Sequence, residues 1–516
     1  MAKQFSQASK QPSQQEIQAV LNLLNTGKLA ETESAAKKLA ARFPNTFILY
    51  HVLGIAQDGL SKFADAVESY TEALKLQPNT PDLHFNLGIA LTNVGRLNDA
   101  AASYRKAIAL QPQFFEAHGN LGTVLQKQGL LEEAIASYKR GLSINPQDAR
   151  GHFNLGTALR DNGQLDDAVK SYQQALQLFP NYTDAHNNLG ETLRDQGNME
   201  AAIKSYQNAL ALNPQHPQAN YNMAEFLYLA KRFDEAIPYF EASQLDDWQA
   251  RSLYCLYKAE RFDAFKSKLD NLVATTKHTA PFIGTLSTHY AINFGIENPY
   301  NFCKNGFDFV YQQSIPELAE PNSQLLQDLL HDINNTEIAE RKQGMLHFGT
   351  QSAGNLFKRP EASFRTLAEL IKQEFINYKN RYAGADCELI KSFPGTLEFT
   401  SSWYVKMRQG GHLDPHIHEI GWISGAVYLA MPKNKQHPDE GCFEYGTHGD
   451  NYPIKPPHTH KDFPAALVAP NVGDIVLFPS SLFHRTVPFS SNEERICIAF
   501  DLKPMGSVAQ LSHSNY

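Results

Sequence analysis

Residues 410–422 read GGHLDPHIHEIGW, a run in which His412, Asp414, His416 and His418 stand two apart. On an extended strand, alternate side chains share a face, so all four would point the same way. Imidazole and carboxylate are the side chains that hold borderline divalent metals. The spacing therefore predicts a metal site on a strand. It leaves open whether a His412–Asp414 pair or a His416–His418 pair supplies the first ligands.

Two later stretches can complete such a site. The segment FPSSLFHRTVP brings His484, and ERICIAF brings Arg495. In RICIAF the residues Arg495, Cys497 and Ala499 share one face, and Ile496, Ile498 and Phe500 the other. A cation among small residues, backed by bulky apolar packing, suits a strand that reaches into a ligand pocket.

These residues have strands to sit on. TLEFTSSWYVKM, SGAVYLAMP, GCFEYG, DIVLFP and RICIAFDL are short β-rich runs separated by Gly, Pro and Asn. They predict a sandwich or small barrel over about 395–505, with KPPHTHKDFP as a mobile loop at its mouth. The runs 322–337 and 363–382 carry helical periodicity and predict supporting helices within 276–394.

The stretch from SSWYVKMRQGGHLDPHIHEIGWISGAVYLAMP through GDIVLFPSSLFHRTVPFSSNEERICIAFDLKP resembles the 2-oxoglutarate/Fe(II) oxygenases often fused to tetratricopeptide repeats. That family's pattern is H-x-H, Gly-Trp, a Ser-Gly strand ending in Tyr, then Phe-Pro-Ser, His and a final-strand Arg. The resemblance implies a double-stranded β-helix (a jelly-roll, cupin-like fold) binding Fe(II), 2-oxoglutarate and O2. Its H-x-H precedes Gly-Trp, here Gly421–Trp422, which implies His416, His418 and His484 as metal ligands. It also implies Arg495 and Tyr428 on the co-substrate's carboxylates. Asp414 and His412 remain as alternative ligands or as partners that orient one. No catalytic residue beyond the metal centre is implied.

The first half of the chain has a different order. Gly54, Gly88, Gly122, Gly156 and Gly190 are spaced by 34, as are Ala66 to Ala236, Tyr70 to Tyr206 and Pro44 to Pro214. A unit such as HFNLGIALTNVGRLNDAAASYRKAIALQP resembles the tetratricopeptide repeat. Seven units fit 13–250, with a degenerate one at 251–275, and together they predict an all-α solenoid with a concave surface. The domains expected are thus a tail at 1–12, the solenoid at 13–275, a helical connector at 276–394, the β-helix core at 395–505 and a tail at 506–516.

Asn86, Asn120, Asn154, Asn188 and Asn222 also step by 34. Asn is a poor helix former, so a row of them needs a reason. An amide has both donor and acceptor and can clasp a peptide's main chain. The repeat arrays of protein O-linked N-acetylglucosamine transferases use a similar ladder. The other reading is hydrogen bonding between neighbouring repeats.

Composition narrows the partners. A formal charge of −8 argues against nucleic acid, whose binding rests on clustered Lys and Arg. No apolar run approaches the ~18 residues of a membrane span. Five scattered cysteines and a polar start predict reduced thiols and a cytoplasmic chain. The expected activity is hydroxylation of a protein or peptide presented by the repeats. The alternatives are a non-catalytic adaptor with a degenerate barrel, and a three-His iron dioxygenase that does not use 2-oxoglutarate.

Overall fold

The computed structural model describes residues 11–504 apart from 246, 342–343, 396 and 420. The tails expected at 1–12 and 506–516 fall outside them, save Gln11 and Pro12. The chain forms two compact units, 1–223 and 224–516.

The first unit is built of antiparallel helix pairs, from Gln14–Asn25 with Leu29–Arg42 to Thr183–Asp195 with Met199–Leu212. Two of the 34-residue ladders have one cause. A Cβ on Gly54, Gly88, Gly122, Gly156 or Gly190 would stand 2.5–2.8 Å from the ring of Tyr70, Tyr104, Tyr138, Tyr172 or Tyr206. Each tyrosine lies flat where its glycine lacks a side chain, and these rings are buried. The turn inside each pair holds a left-handed residue. Gly95, Gly129, Gly163 and Gly197 take φ of 74–80°, whereas Ser61 takes 58° at the equivalent place.

A further ladder escaped the sequence reading. His84, His118, His152 and His186 bond through Nε2 to the carbonyls of Pro78, Pro112, Pro146 and Pro180 at 2.8–3.3 Å. Asn220 does the same to Pro214. The imidazole satisfies a carbonyl that the proline-ended helix leaves free.

The second unit opens with helices, among them Trp248–Lys258, Phe262–Thr275 and Pro281–Phe294. The predicted helices are present as Gln324–Asn335 and Ala362–Arg381. The strands among the described residues are β1 Tyr311–Ser314, β2 Glu340–Arg341, β3 Leu346–Ser352, β4 Leu397–His416, β5 Ile423–Ala430, β6 Phe443–Gly446, β7 Ala465–Val468, β8 Asp474–Pro479, β9 Phe483–Thr486 and β10 Arg495–Pro504. The region 276–394 thus holds strands as well as helices.

The strand order is β1-β8-β5-β10-β4-β9-β6-β7, with β3 also on β4 and every named pairing antiparallel. The long β4 joins two layers. Its first part pairs with β10 at Met407↔Arg495, and its end pairs with β9 at His416↔His484. This is the jelly-roll closure of a double-stranded β-helix.

Alternation sorts each strand's side chains. Ile423, Val427, Ile475, Leu477, Ile496, Ile498 and Phe500 face a core shared with the helices, including Leu367 and Phe375. Val405, Met407, Ala426, Tyr428, Phe443, Val476, Phe478 and Cys497 pack together on the other face. The inner face of the barrel is therefore apolar, and the polar residues set into it stand out.

The segment containing KPPHTHKDFP, expected as a mobile loop, is tied to helix Pro281–Phe294. Asn293 donates to Pro453 O at 2.7 Å and accepts from Lys455 N at 3.1 Å, and Phe463 stacks on His289 at 4.4 Å.

Candidate metal centre

His416, at the end of β4, and His484, on β9, are cross-strand partners. His418 lies two residues past β4. Each offers one ring nitrogen, and these nitrogens lie within 4.8 Å of one another.

The outer nitrogens are engaged. His416 Nδ1 meets Asp414 O at 2.8 Å, His484 Nδ1 meets Leu482 O at 3.4 Å, and His418 Nδ1 meets Asp501 Oδ1 at 2.6 Å. A carbonyl can only accept, so Nδ1 of His416 and His484 carries the proton and Nε2 is bare. The Nε2 atoms of His418 and His484 stand 3.1 Å apart. With Asp501 holding the His418 proton at Nδ1, two lone pairs face each other. A cation between them removes the conflict.

Protonation of His416 or His484 does not supply that cation easily. Burial holds His416 down at about 4, and burial holds His484 well below the ordinary range, each helped by the neighbouring imidazoles. Phe478 and Phe443 flank His484, and Trp403 stacks on His418 at 5.6 Å. The donor set is three imidazoles in an apolar cup, which suits a first-row divalent metal.

Asp501 is the carboxylate behind the site, and the sequence reading did not single it out. Burial would raise its pKa, but His418 and two hydroxyls hold it below the usual carboxylate range. Ser424 donates to it at 2.7 Å and Ser401 at 2.9 Å, and Ser480 meets Ser424 at 2.8 Å. A Cβ on Gly421 would stand 2.5 Å from Ser480 Oγ. The Gly-Trp, Ser-Gly and Phe-Pro-Ser signals thus converge on one hydrogen-bonded chain that ends at His418. Trp422 itself is buried packing against Phe302, with its N–H on Leu389 O.

Asp414 and His412 lie elsewhere. The register of β4 slips between Leu413 and His416, so the four residues do not share one face. The Asp414 carboxylate accepts from His347 Nε2 at 2.9 Å, and His412 stacks on His347. Towards the triad, Asp414 offers only its carbonyl.

Arg495 is 2% exposed. Its Nε donates to Gly441 O at 3.1 Å, Nη1 meets the sulfurs of Cys497 and Met407 at 3.6 and 4.0 Å, and the guanidinium also hydrogen-bonds the Tyr428 phenol. Its guanidinium sits 5.1 Å from the Tyr428 ring centroid, and burial raises that phenol's pKa. Among the described residues no carboxylate comes within ion-pair distance. Glu493 is taken by Lys433 N and Asn434 N, and Glu494 lies 3.6 Å from Arg408. Sulfur is a weak acceptor, and a buried cation without an anion is costly. Arg495, Cys497, Ala499 and Asp501 alternate along the inner face of β10, so the cation and the carboxylate behind His418 share that face.

A profile of the family described as "Putative 2OG-Fe(II) oxygenase" matches residues 401–501, the span that holds all of these groups. A tetratricopeptide-repeat profile matches 51–113, 92–149, 153–207 and 193–250. Family models thus find tetratricopeptide repeats and a domain of the 2OG-Fe(II) oxygenase type in the same chain. No curated protein matches it. Among solved structures, MamA is 24% identical, covering 32% of this chain and 95% of its own at a TM-score of 0.31. YrrB, titled a TPR protein with an unusual peptide-binding site, is 23% identical over 36% of this chain and 95% of its own, at 0.33. The C-terminal part of a TPR repeat-containing protein from Cytophaga hutchinsonii is 17% identical over 44% and 93%, at 0.39.

For the oxygenase domain the family implies Fe(II), 2-oxoglutarate and O2, and the histidine cluster fits such an ion. The repeats mark the chain for protein–protein interaction. No helix among the described residues is long and apolar enough to cross a membrane.

Four of the five ladder asparagines are half-buried, and Asn222 is buried. Asn86 meets His51 at 3.3 Å, and Asn222 donates to Asn187 and Glu191 at 3.0 and 2.9 Å. Asn120 and Asn188 lie at the phenols of Tyr104 and Tyr172. At least part of the ladder therefore joins neighbouring repeats.

Proposed function

We propose that this protein is a 2-oxoglutarate- and Fe(II)-dependent dioxygenase that hydroxylates a protein or peptide bound through the repeats. The observation that carries the reading is Arg495, a buried cation without a carboxylate, on the inner face that also holds Asp501 behind the triad. A dicarboxylic co-substrate supplies the missing anion, and a guanidinium is its natural bidentate partner.

His416, His418 and His484 would hold Fe(II) through Nε2. With the metal bound, 2-oxoglutarate and O2 convert a substrate C–H to C–OH and leave as succinate and carbon dioxide. The chain's own part is positional. Asp501 keeps the His418 proton on Nδ1, the Asp414 and Leu482 carbonyls do so for His416 and His484, and the rings around them exclude water. Arg495 anchors the distal carboxylate, with the Tyr428 phenol beside it. The domain that does this runs over 395–505, and the peptide groove belongs to the repeats, through Asn86, Asn120, Asn154, Asn188 and Asn222 where their amides are free.

The all-imidazole cluster favours one other reading, an iron dioxygenase that takes no 2-oxoglutarate. Succinate formation separates the two. Protein loaded anaerobically with Fe(II) and then given O2 should turn 2-oxoglutarate into succinate, and His484→Ala and Arg495→Ala should abolish it. Oxygen uptake that ignores 2-oxoglutarate and survives Arg495→Ala would establish the second reading instead.

A further inference from the structure

A second cluster of ligand-type side chains stands at the edge of the barrel. His347 on β3 and His412 on β4 are cross-strand partners, and their rings stack at 4.4 Å with 15° between planes. Asp414 reaches both, with Oδ2 2.9 Å from His347 Nε2 and Oδ1 3.9 Å from His412 Nε2. The three ligand atoms lie within 4.8 Å of one another. All three side chains are partly open to solvent, at 28–40% exposure.

The local backbone is shaped around this meeting. The β3–β4 register shifts between His347 and Gly349, and Phe348 in the shift takes φ of 50°, an unfavourable value for an aromatic residue. A Cβ on Gly349 would stand 2.5 Å from Lys406 O. Gly410, at φ of 83°, presents its carbonyl to His412 Nδ1 at 2.9 Å. That bond places a proton on His412 Nδ1 and turns Nε2 to the side of Asp414. Among the described residues Arg485 also lies near Asp414, and Glu444 already holds it at 2.7 and 2.9 Å.

We infer that His347, His412 and Asp414 form a second metal site, for one divalent ion of the zinc class, separate from the three-histidine centre. Two imidazoles and a carboxylate are a sufficient donor set for such an ion, one ring turning out of the stack so that both nitrogen lone pairs meet it, and the exposed side leaves positions for water or a partner's ligand. The ion replaces the proton shared by His347 Nε2 and Asp414. The site is linked to the centre through one residue, since Asp414's carbonyl accepts from His416. Among the described residues a phosphate-type anion finds no free Lys or Arg here, whereas a cation finds two imidazoles and one carboxylate.

Equilibrium dialysis of the untagged full chain against Zn(II) at pH 7.5 tests this. Wild type should bind two ions per chain. His347→Gln and Asp414→Asn should each lose one ion with an unchanged melting profile, and His418→Ala should lose the other. Should His347→Gln and Asp414→Asn bind as many ions as wild type, the second site does not exist, whatever His418→Ala does. If the single ion of a one-ion protein vanishes with His347→Gln alone, this site stands and the three-histidine reading falls.

Discussion

At the scale of single residues, the three-histidine cluster is held by groups that stand behind it. Asp501 lies 83 positions from His418, in a strand segment that reads as ordinary AFDL. Its importance shows only when β10 is laid beside β4 and β5, at Asp501↔Ser401 and Asp501↔Ser424. Asp501→Ala should weaken Fe(II) binding about 10–100-fold, as loss of a metal ligand's hydrogen-bond partner does elsewhere; chelator competition would measure it. Gly421→Ala attacks the same chain from its far end. A methyl group 2.5 Å from Ser480 Oγ must displace that hydroxyl. A cost of about 1–3 kcal/mol in stability and weaker metal binding are expected. A stable Gly421→Ala variant with wild-type affinity would show that the serine relay does not position His418.

At the scale of elements, the sequence is most legible where one rule repeats. The glycine and tyrosine ladders are one contact seen five times, so periodicity alone revealed it. Ser61 breaks the pattern of left-handed glycines at φ of 58°. Ser61→Gly should therefore stabilise the repeats by about 1 kcal/mol, read as a rise in thermal midpoint, the relief of a side chain in that region exceeding glycine's unfolded-state entropy. The strand end at 412–418 was less legible. Period-two spacing promised one face, but the slip between Leu413 and His416 sends His412 and Asp414 to another site. A bulge depends on partner strands, and β3 carries no strong signal of its own. The joint between helix Pro281–Phe294 and the 447–463 segment yields a pH dependence. Tyr257 meets His289 Nδ1 at 2.6 Å, and His289 Nε2 meets His448 Nδ1 at 2.8 Å. Burial holds His289 at about 2 and His448 at about 4. In the unfolded chain both return to about 6.5, so unfolding takes up protons once the pH falls below that value. Their contribution is complete above about pH 6.5 and is lost as pH falls toward 4 for His448 and on toward 2 for His289. The thermal midpoint should fall over that window, and His289→Asn should make the fall shallower.

At the scale of the whole molecule, the two compact units have different sources of stability. Residues 1–223 repeat one short-range contact, whereas 224–516 close a sheet whose strands are far apart in sequence and back it with helices. Both histidine clusters and Arg495 belong to the second unit. A ligand that binds only the folded state stabilises the part that unfolds with its site, by about 2.7 kcal/mol at a hundred times its Kd. Calorimetry of the metal-free chain should show two transitions. Fe(II) with 2-oxoglutarate, kept free of oxygen, should raise one of them and leave the other in place. Gly156→Ala, which drives a methyl group to 2.8 Å from the Tyr172 ring, should lower only the transition that the ligands leave unmoved. If ligand and substitution moved the same transition, the chain would unfold as one cooperative block. Metal occupancy would then be felt along the repeats.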